Sequence, residues 1–493
     1  MFWNPSSTKG RFIGIFAASL ALAALPACSA LGGPFGGEAD LPPGLRTVDA
    51  AWIEGLSTGE RTVSVDGKSV TSRYPQVPGA ADFTTEVRTA MAERETAFLT
   101  GDGGTSLEQE AKFLVASGGV LGARITARTD GAVEGTSRWY DAGSGEALPW
   151  TALLNGDEAI DELGAQVSRV LRDEHGVAPN ALPPGLPAPA SRGLAADDSV
   201  EPALVDPEAA WQSAADREGS ALEDIGFNAA GELVVSFSPG EAGEGEEDVQ
   251  VPVPDSEVLL SRFGRSARTA VMEDARSVDL GPADGPVAGL DCDRVPCVAL
   301  TFDDGPGEDT GLLLEHLDEY SAKATFYVLG SLTESSPETV RSTAEAGHEI
   351  GIHTWKHDNL ALMGGDAVRD DVERTAAAIK DATGVEVTSM RPPYGSFNET
   401  TQANVDYPMI LWDVDTLDWQ HMNKDKTIDT AVSETQPGSI VLFHDIHRPT
   451  VDAIPAVLEQ LQGKGYHFVT VSELFADTTL EPGVAYMRRD QGA

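Results

Sequence analysis

The sequence predicts an α/β protein in which an irregular (β/α) barrel follows a separate α+β domain. Three observations lead there. From about Asp291 onward, short apolar runs alternate with amphipathic helical stretches, the rhythm of repeated βα units with parallel strands. Clusters of Asp, His and Arg fall at or just after the C-terminal ends of those runs, where barrels place their chemistry. Before Asp291 the two periodicities mix without such a repeat. At 493 residues the chain exceeds one ordinary domain, and 41% hydrophobic with 23% charged residues suffices for real cores.

The N-terminus reads as a targeting segment. Lys9 and Arg11 precede an apolar run, Phe12 to Leu25, too short for a comfortable membrane span. It ends in Leu25-Pro26-Ala27-Cys28, which resembles the lipobox of bacterial lipoproteins. That resemblance implies cleavage before Cys28 and lipid on its thiol, hence a membrane-anchored, extracytoplasmic protein. Ordinary signal cleavage near Ala30, giving a secreted protein, is the alternative. Residues 29–45 are rich in Gly and Pro and read as a flexible tether. The formal charge of -45 sets a strongly negative surface against any polyanion and argues against nucleic acid as a partner.

Residues 46–278 are expected to form the α+β accessory domain. Strand-like alternation covers Thr62 to Val70 and Ala123 to Thr129, and helical spacing covers Phe83 to Phe98 and Ala159 to Asp173. Ala178 to Gly193, full of Pro and Ala, is predicted as a loop or linker. Leu233 to Phe237 and Val249 to Val253 are short strands flanking the acidic, Gly-rich turn Gly240 to Asp248. Arg73-Tyr74-Pro75-Gln76-Val77, Tyr140-Asp141 with Leu148-Pro149-Trp150, and Val251-Pro252-Val253-Pro254 after Phe227-Asn228 resemble an extracellular module. It is the module of lysozyme-sensing anti-sigma factors and some peptidoglycan deacetylases. A generic α+β spacer is the alternative.

Residues 279–493 are expected to be the barrel domain. Cys292 and Cys297 bracket a short loop before its first strand. Export makes a disulfide the expected state, and no second Cys or His pair lies nearby to complete a zinc site. Strands are predicted at Val298 to Asp304, Ala324 to Leu329, Glu349 to His353, Pro408 to Val414, Ser439 to Phe443 and His467 to Val471. Helices are predicted at Thr310 to Tyr320, Pro337 to Ala346, Ala367 to Thr383, Thr427 to Thr435 and Ile454 to Gln462.

Five polar clusters punctuate these elements: Thr301-Phe302-Asp303-Asp304-Gly305-Pro306, His353-Thr354-Trp355-Lys356-His357, Arg391-Pro392-Pro393-Tyr394-Gly395, Asp415-Thr416-Leu417-Asp418-Trp419 and Leu442-Phe443-His444-Asp445. Two imidazoles and a carboxylate form a ligand mixture that leaves a zinc-like ion open to solvent. A second carboxylate beside the metal and a distant histidine can divide base and acid duties. The combination points to metal-assisted hydrolysis.

In order and content, the five clusters resemble the polysaccharide deacetylase family, carbohydrate esterase family 4, over roughly the last 200 residues. The resemblance implies a distorted (β/α) barrel and a divalent metal cofactor, zinc or else cobalt, held by Asp304, His353 and His357. It implies Asp303 as the general base that activates water, Arg391 as the group that holds that base, and His444 as the general acid oriented by Asp418. A backbone N–H at Tyr394 is implied in oxyanion stabilisation, and Leu442 with Trp419 in walling a pocket for an acetyl methyl. Asp445, Ile446, His447, Asp413 and Asp415 extend the clusters and are given no catalytic role; a structural histidine is the reading for His447. The implied reaction is removal of N-acetyl groups from amino-sugar polymers, with peptidoglycan as the polymer nearest a surface anchor. The alternatives are an esterase for O-acetylated glycans of the xylan type, and a surface protein that binds wall polymer or lysozyme.

Overall fold

Among the described residues, fifteen of the first sixteen strands belong to three sheets, and Asp303 and His444 end neighbouring strands of one of them. The computed structural model describes residues 44–490 apart from 54, 187–201, 218, 244–246 and 281–288. The targeting segment, Cys28 and most of the tether lie outside the described residues, as does part of the Pro-rich stretch. Among the described residues, no helix is long and apolar enough to cross a membrane.

The first half holds a six-stranded sheet in sequential order: β1 (Ser57–Val65), β2 (Lys68–Gln76), β3 (Ser106–Ser117), β4 (Val120–Thr129), β5 (Ala132–Asp141) and β6 (Glu146–Pro149). Only β2 and β3 run parallel, because α1 (Ala81–Thr100) carries the chain between them. α2 (Asp157–Asp173), α3 (Pro207–Ala215), a small sheet of β7 (Ile225–Phe227), β8 (Leu233–Phe237) and β9 (Val249–Val253), and α4 (Arg262–Glu273) complete this half. Thr62 to Val70, expected as one strand, is a hairpin: Asp66 and Gly67 both have positive φ and turn β1 into β2. The alternation runs on through the turn because both strands bury the same kind of face, with Val63, Val65 and Val70 all inside.

The second half is the barrel. Its strands are β10 (Cys297–Asp303), β11 (Thr325–Val328), β12 (Glu349–Ile352), β13 (Met409–Ile410), β14 (Val414–Asp415), β15 (Ile440–His444) and β16 (His467–Phe468), with β17 (Ala485–Tyr486) beside β13. The main sheet runs β12-β11-β10-β15-β14, all parallel, with β16 against the start of β10. Met390 bridges β12 to β13 and extends the wall. The helices between strands are α5 (Thr310–Glu319), α6 (Gly330–Ser335), α7 (Pro337–Glu345), α8 (Gly365–Thr383), α9 (Glu399–Gln402), α10 (Asp418–His421), α11 (Lys424–Glu434), α12 (Arg448–Gly463) and α13 (Val471–Leu474). Pro408 to Val414, expected as one strand, is interrupted: Leu411 leaves the ladder and its carbonyl faces a buried arginine. His467 to Val471 shortens likewise, with Val471 opening α13.

Alternation in β10 sorts core from chemistry. Phe302 stacks on Phe326 at 5.2 Å and on Phe443 at 5.5 Å, its register partners on β11 and β15. These rings join Leu313 and Leu317 of α5 and Val451, Ile454 and Val457 of α12 in one core beneath the helices. Thr301 and Asp303 take the other face, paired with Leu442 and His444. A parallel strand buried on both sides thus reads as uniformly apolar yet ends in two inward polar groups.

The disulfide Cys292–Cys297 is formed. Its loop meets α1: the Asp291 N–H donates to Thr89 Oγ1 at 2.9 Å, and Arg294 pairs with Glu93 at 2.8 Å. Further contacts join α1 and β1 to Ser321 and His467. All of these sit at the N-terminal ends of barrel strands, so the first half packs against the end remote from the polar clusters.

Candidate active site

Asp303 and Asp304 are adjacent in sequence but diverge in space. β10 stops at Asp303, and Asp304 turns into the left-handed region with φ 70°. His357 at φ 64° and Tyr394 at φ 63° share that sparsely populated conformation. Residues with a Cβ adopt it at a cost that surrounding structure must sustain, and such positions gather at functional sites. Here the left-handed turn aims Asp304 at two histidines while Asp303 stays on the strand beneath an arginine.

Asp304 Oδ1 lies 3.4 Å from His353 Nε2 and 3.3 Å from His357 Nε2. One ligand atom from each of the three residues falls within 4.8 Å of the others. His353 Nδ1 is 2.8 Å from the Arg391 carbonyl. A carbonyl only accepts, so Nδ1 carries the proton and Nε2 presents its lone pair to the cluster. Asp304 Oδ1 is buried and has no hydrogen-bond partner. An orphaned buried carboxylate oxygen facing imidazole nitrogens is unfavourable as it stands and is satisfied by a cation. The donor set fits a divalent metal of the zinc or cobalt type.

Asp303 is held from the opposite side. Arg391 Nη1 donates to Asp303 Oδ1 at 2.8 Å, and the two side chains are 0% and 4% exposed. The guanidinium also donates to Thr301 Oγ1 at 2.7 Å and to the carbonyls of Ile410 and Leu411 at 2.9 Å each. Its face lies 4.4 Å from the centre of the Tyr327 ring. Each of its three nitrogens donates, so a charge that would be ruinous to bury alone is compensated, and the neighbouring carboxylate is held in place. Asp303 Oδ2 remains 3.7 Å from His353 Nε2, facing the metal-type cluster.

Across the mouth of the barrel, His444 Nδ1 donates to Asp418 Oδ1 at 2.8 Å. Asp418 Oδ2 accepts from the His444 backbone N–H at 2.8 Å and from Thr450 Oγ1 at 2.7 Å. Burial alone would lower the imidazole, but the hydrogen bond and charge of Asp418 outweigh it and raise His444 to about 9. The ring therefore carries a proton at neutral pH, and with Nδ1 on Asp418 its Nε2–H is the proton left to give.

Tyr394 stands 67% exposed beside His357, ring centres 4.5 Å apart. Its backbone N–H makes no hydrogen bond among the described residues. Leu442 is buried two residues before His444 on the same strand face, and Trp419, half exposed, follows Asp418 directly. Asp413 and Asp415 serve the backbone: Asp413 accepts from Ile440 N–H and Ser439, and Asp415 from Leu417 N–H. Asp445 is fully buried, binds Thr310 and is pushed up by burial to about 7. The His447 ring centre lies 5.9 Å from that of His444.

Three supporting residues escape sequence reasoning. Thr301 ties Arg391 to the sheet, Tyr327 underlies the guanidinium, and Thr450 steadies Asp418. Thr301 alone carried a signal, since it sits two residues before Asp303 and so shares its face.

Comparison with known proteins follows the same stretch of chain. A family profile, polysaccharide deacetylase, matches residues 291–409, from the disulfide loop through Asp303, both histidines and Arg391. Peptidoglycan-N-acetylglucosamine deacetylase PgdA of Listeria monocytogenes is 39% identical over 181 residues, covering 36% of this chain and 39% of that protein. Peptidoglycan-N-acetylmuramic acid deacetylase PdaC of Bacillus subtilis is 36% identical over 178 residues, covering 36% of this chain and 38% of that protein. The chain thus spans well under half the length of either relative. A peptidoglycan-N-acetylglucosamine deacetylase of Bacillus cereus is 36% identical over 188 residues, which make up 68% of its own length. With so large a share of that relative matched, this chain belongs to the polysaccharide deacetylase family.

Proposed function

We propose that the protein is a metal-dependent hydrolase that removes N-acetyl groups from amino sugars of peptidoglycan. The observation that carries this reading is that three separately held units stand at the C-terminal ends of neighbouring barrel strands: Asp304 with His353 and His357, Asp303 under Arg391, and His444 on Asp418. The names of these three relatives, each a peptidoglycan deacetylase, favour the wall polymer as substrate. They differ on the sugar, glucosamine in two and muramic acid in one.

Asp304, His353 and His357 would hold a divalent cation, which when bound would supply Lewis acidity toward an acetyl carbonyl and water. Asp303, held by Arg391, takes the proton from the attacking water. The Tyr394 N–H is free to donate to the developing oxyanion. His444, already protonated, passes its proton to the sugar nitrogen, so acetate leaves and a free amine remains. Leu442 and Trp419 bound the space for the acetyl methyl.

On this reading residues 279–493 are the catalytic domain and 46–278 an accessory domain behind it. The targeting segment and a lipid on Cys28 would place both outside the cytoplasm at the membrane surface. The test is acetate release from N-acetylglucosamine oligomers and wall fragments after chelation and refilling with Zn²⁺ or Co²⁺. No release from either substrate with either metal refutes the proposal. O-acetylated xylan serves as the ester control: an alkoxide leaving group needs the acid less, so His444→Ala should spare ester cleavage more than amide cleavage.

A further inference from the structure

A cleft of about 1140 Å³ opens in the first half of the molecule, between α1, β6 and α3, and Asp291 and Arg294 of the disulfide loop complete it. It lies at the opposite end of β10 from Asp303, so roughly 20 Å of extended strand separates it from the active site. No function described above uses it.

Three arginines line this cleft, and two are spoken for. Arg138 donates to Glu86 at 2.7 Å and to Thr136 at 2.9 Å. Arg294 donates to Glu93 at 2.9 and 2.8 Å and also binds Glu86. Arg94 makes no hydrogen bond and no ion pair among the described residues, although burial in the cleft and the charge of Arg138 draw it below the usual arginine range. A desolvated guanidinium with all its donors idle is a receptor for a planar carboxylate. Ala97, Ala147, Pro149, Trp150 and Ala214 supply the cleft's apolar lining. Trp211 adds a flat face, its indole N–H already engaged by the Ala147 carbonyl at 3.3 Å. Asp82, Glu146 and Glu208 on the rim close no ion pair among the described residues.

These features select against a simple anion. The rim carboxylates repel phosphate or any ligand that is only negative, whereas a ligand carrying an amine near its carboxylate answers both. We propose that the cleft binds a short zwitterionic peptide, its free carboxylate on Arg94 and its amine at the acidic rim. The stem peptides of peptidoglycan have this chemistry, so the first half would grip the polymer by its peptide while the barrel acts on its sugars. Only the choice of probe rests on the proposed function; binding and acetate release are read separately and can fail separately.

The probe is the synthetic pentapeptide N-acetyl-Ala-D-isoGln-Lys-D-Ala-D-Ala, which carries one carboxylate and one amine, titrated calorimetrically into the full chain. Expected is saturable binding that weakens about tenfold or more in Arg94→Gln, with C-terminal amidation, or with acetylation of the lysine, in line with loss of one charge-assisted contact. Arg94→Lys should retain more affinity than Arg94→Gln. Trp211→Leu should also weaken binding, which gives a second reading if the arginine variant misfolds. Acetate release from soluble N-acetylglucosamine oligomers should be unchanged in Arg94→Gln. Absence of binding to the wild-type chain, unaltered affinity in both variants, or competition by inorganic phosphate as effective as the peptide would overturn the proposal.

Discussion

Asp303 and His444 are register partners at the ends of adjacent parallel strands, β10 and β15. Each is gripped by a group from elsewhere in the barrel, Asp303 by Arg391 and His444 by Asp418. The sheet sets their separation, and Asp418 raises His444 so that its ring holds a proton. One residue is kept ready to take a proton and the other to give one, which is the division that acid–base hydrolysis needs.

The pH dependence follows from His444. Its folded pKa of about 9 lies above the ordinary 6.5, so the charged ring is favoured by the fold. Stability from the pair with Asp418 is complete below pH 6.5 and is lost as pH rises through about 9. Amide cleavage should fail over the same alkaline limb, because the acid has lost its proton. Asp418→Asn removes the charge that raises the pKa, so its limb should move down by a unit or more, as about 1.4 kcal/mol of lost interaction requires. Superimposable kcat–pH profiles for the two proteins would exclude His444 as the acid.

Arg391 and Asp303 make a second prediction, this time with two readouts. Asp303→Asn should lower kcat by roughly 10²–10⁴-fold while zinc content, measured by atomic absorption, stays at the wild-type level. Arg391→Met strands a carboxylate that is only 4% exposed. Breaking a buried pair from one side costs about 3–5 kcal/mol, and the double variant should recover part of that loss. Urea unfolding of the four proteins measures the coupling, and strict additivity would show that the pair is not a unit.

Much of this site was legible before any coordinates, for a physical reason. The groups proposed to react sit at or near strand ends, so they follow apolar runs at close spacing, as His444 follows Ile440 to Phe443. Their supports are illegible because tertiary folding alone brings them in: Thr450 reaches Asp418 from 32 residues away, and Tyr327 reaches Arg391 from the next strand but one. The two strand errors have separate causes. Asp66-Gly67 is a turn signal masked by alternation that runs through it, whereas β13 and β14 part so that the Leu411 carbonyl can meet a guanidinium remote in sequence. The cleft around Arg94 left no trace in the sequence, since it is assembled from three elements and a loop of the other half.

Gly305 should tolerate no side chain. A Cβ there would lie 2.4 Å from Asp445 Oδ1 and 2.6 Å from Oδ2. Asp445 cannot yield, being fully buried and bound to Thr310, whose hydroxyl also accepts the Gly307 N–H at 2.7 Å. Gly305→Ala should therefore displace the turn that aims Asp304, costing about 1–3 kcal/mol of stability and weakening metal retention. Adding Asp445→Ala makes room and should restore part of both. If metal affinity is unchanged in Gly305→Ala, Asp445 does not brace this turn.

At the other end of the barrel, a buried charge cluster joins the two halves. Arg61 of β1 donates to Glu95 of α1 at 2.9 Å and to the Ser321 carbonyl at 3.0 Å, and Thr96 lies 2.9 Å from His467 Nε2. Burial lowers His467 to about 4, against which the charge of Glu95 contributes only partly. A folded pKa below the unfolded 6.5 means that the unfolded chain takes up the proton first. Stability is then present above pH 6.5 and is lost as pH falls toward about 4. His467→Gln keeps a hydrogen-bonding group for Thr96 and removes the titration, so its melting temperature should fall less steeply than wild type across that window. Acetate release at pH 7 should be unaffected, because β16 enters the sheet at the start of β10 and Asp303 stands at its end. Parallel melting curves for the two proteins from pH 6.5 to 4 would show that His467 does not govern acid stability at this junction.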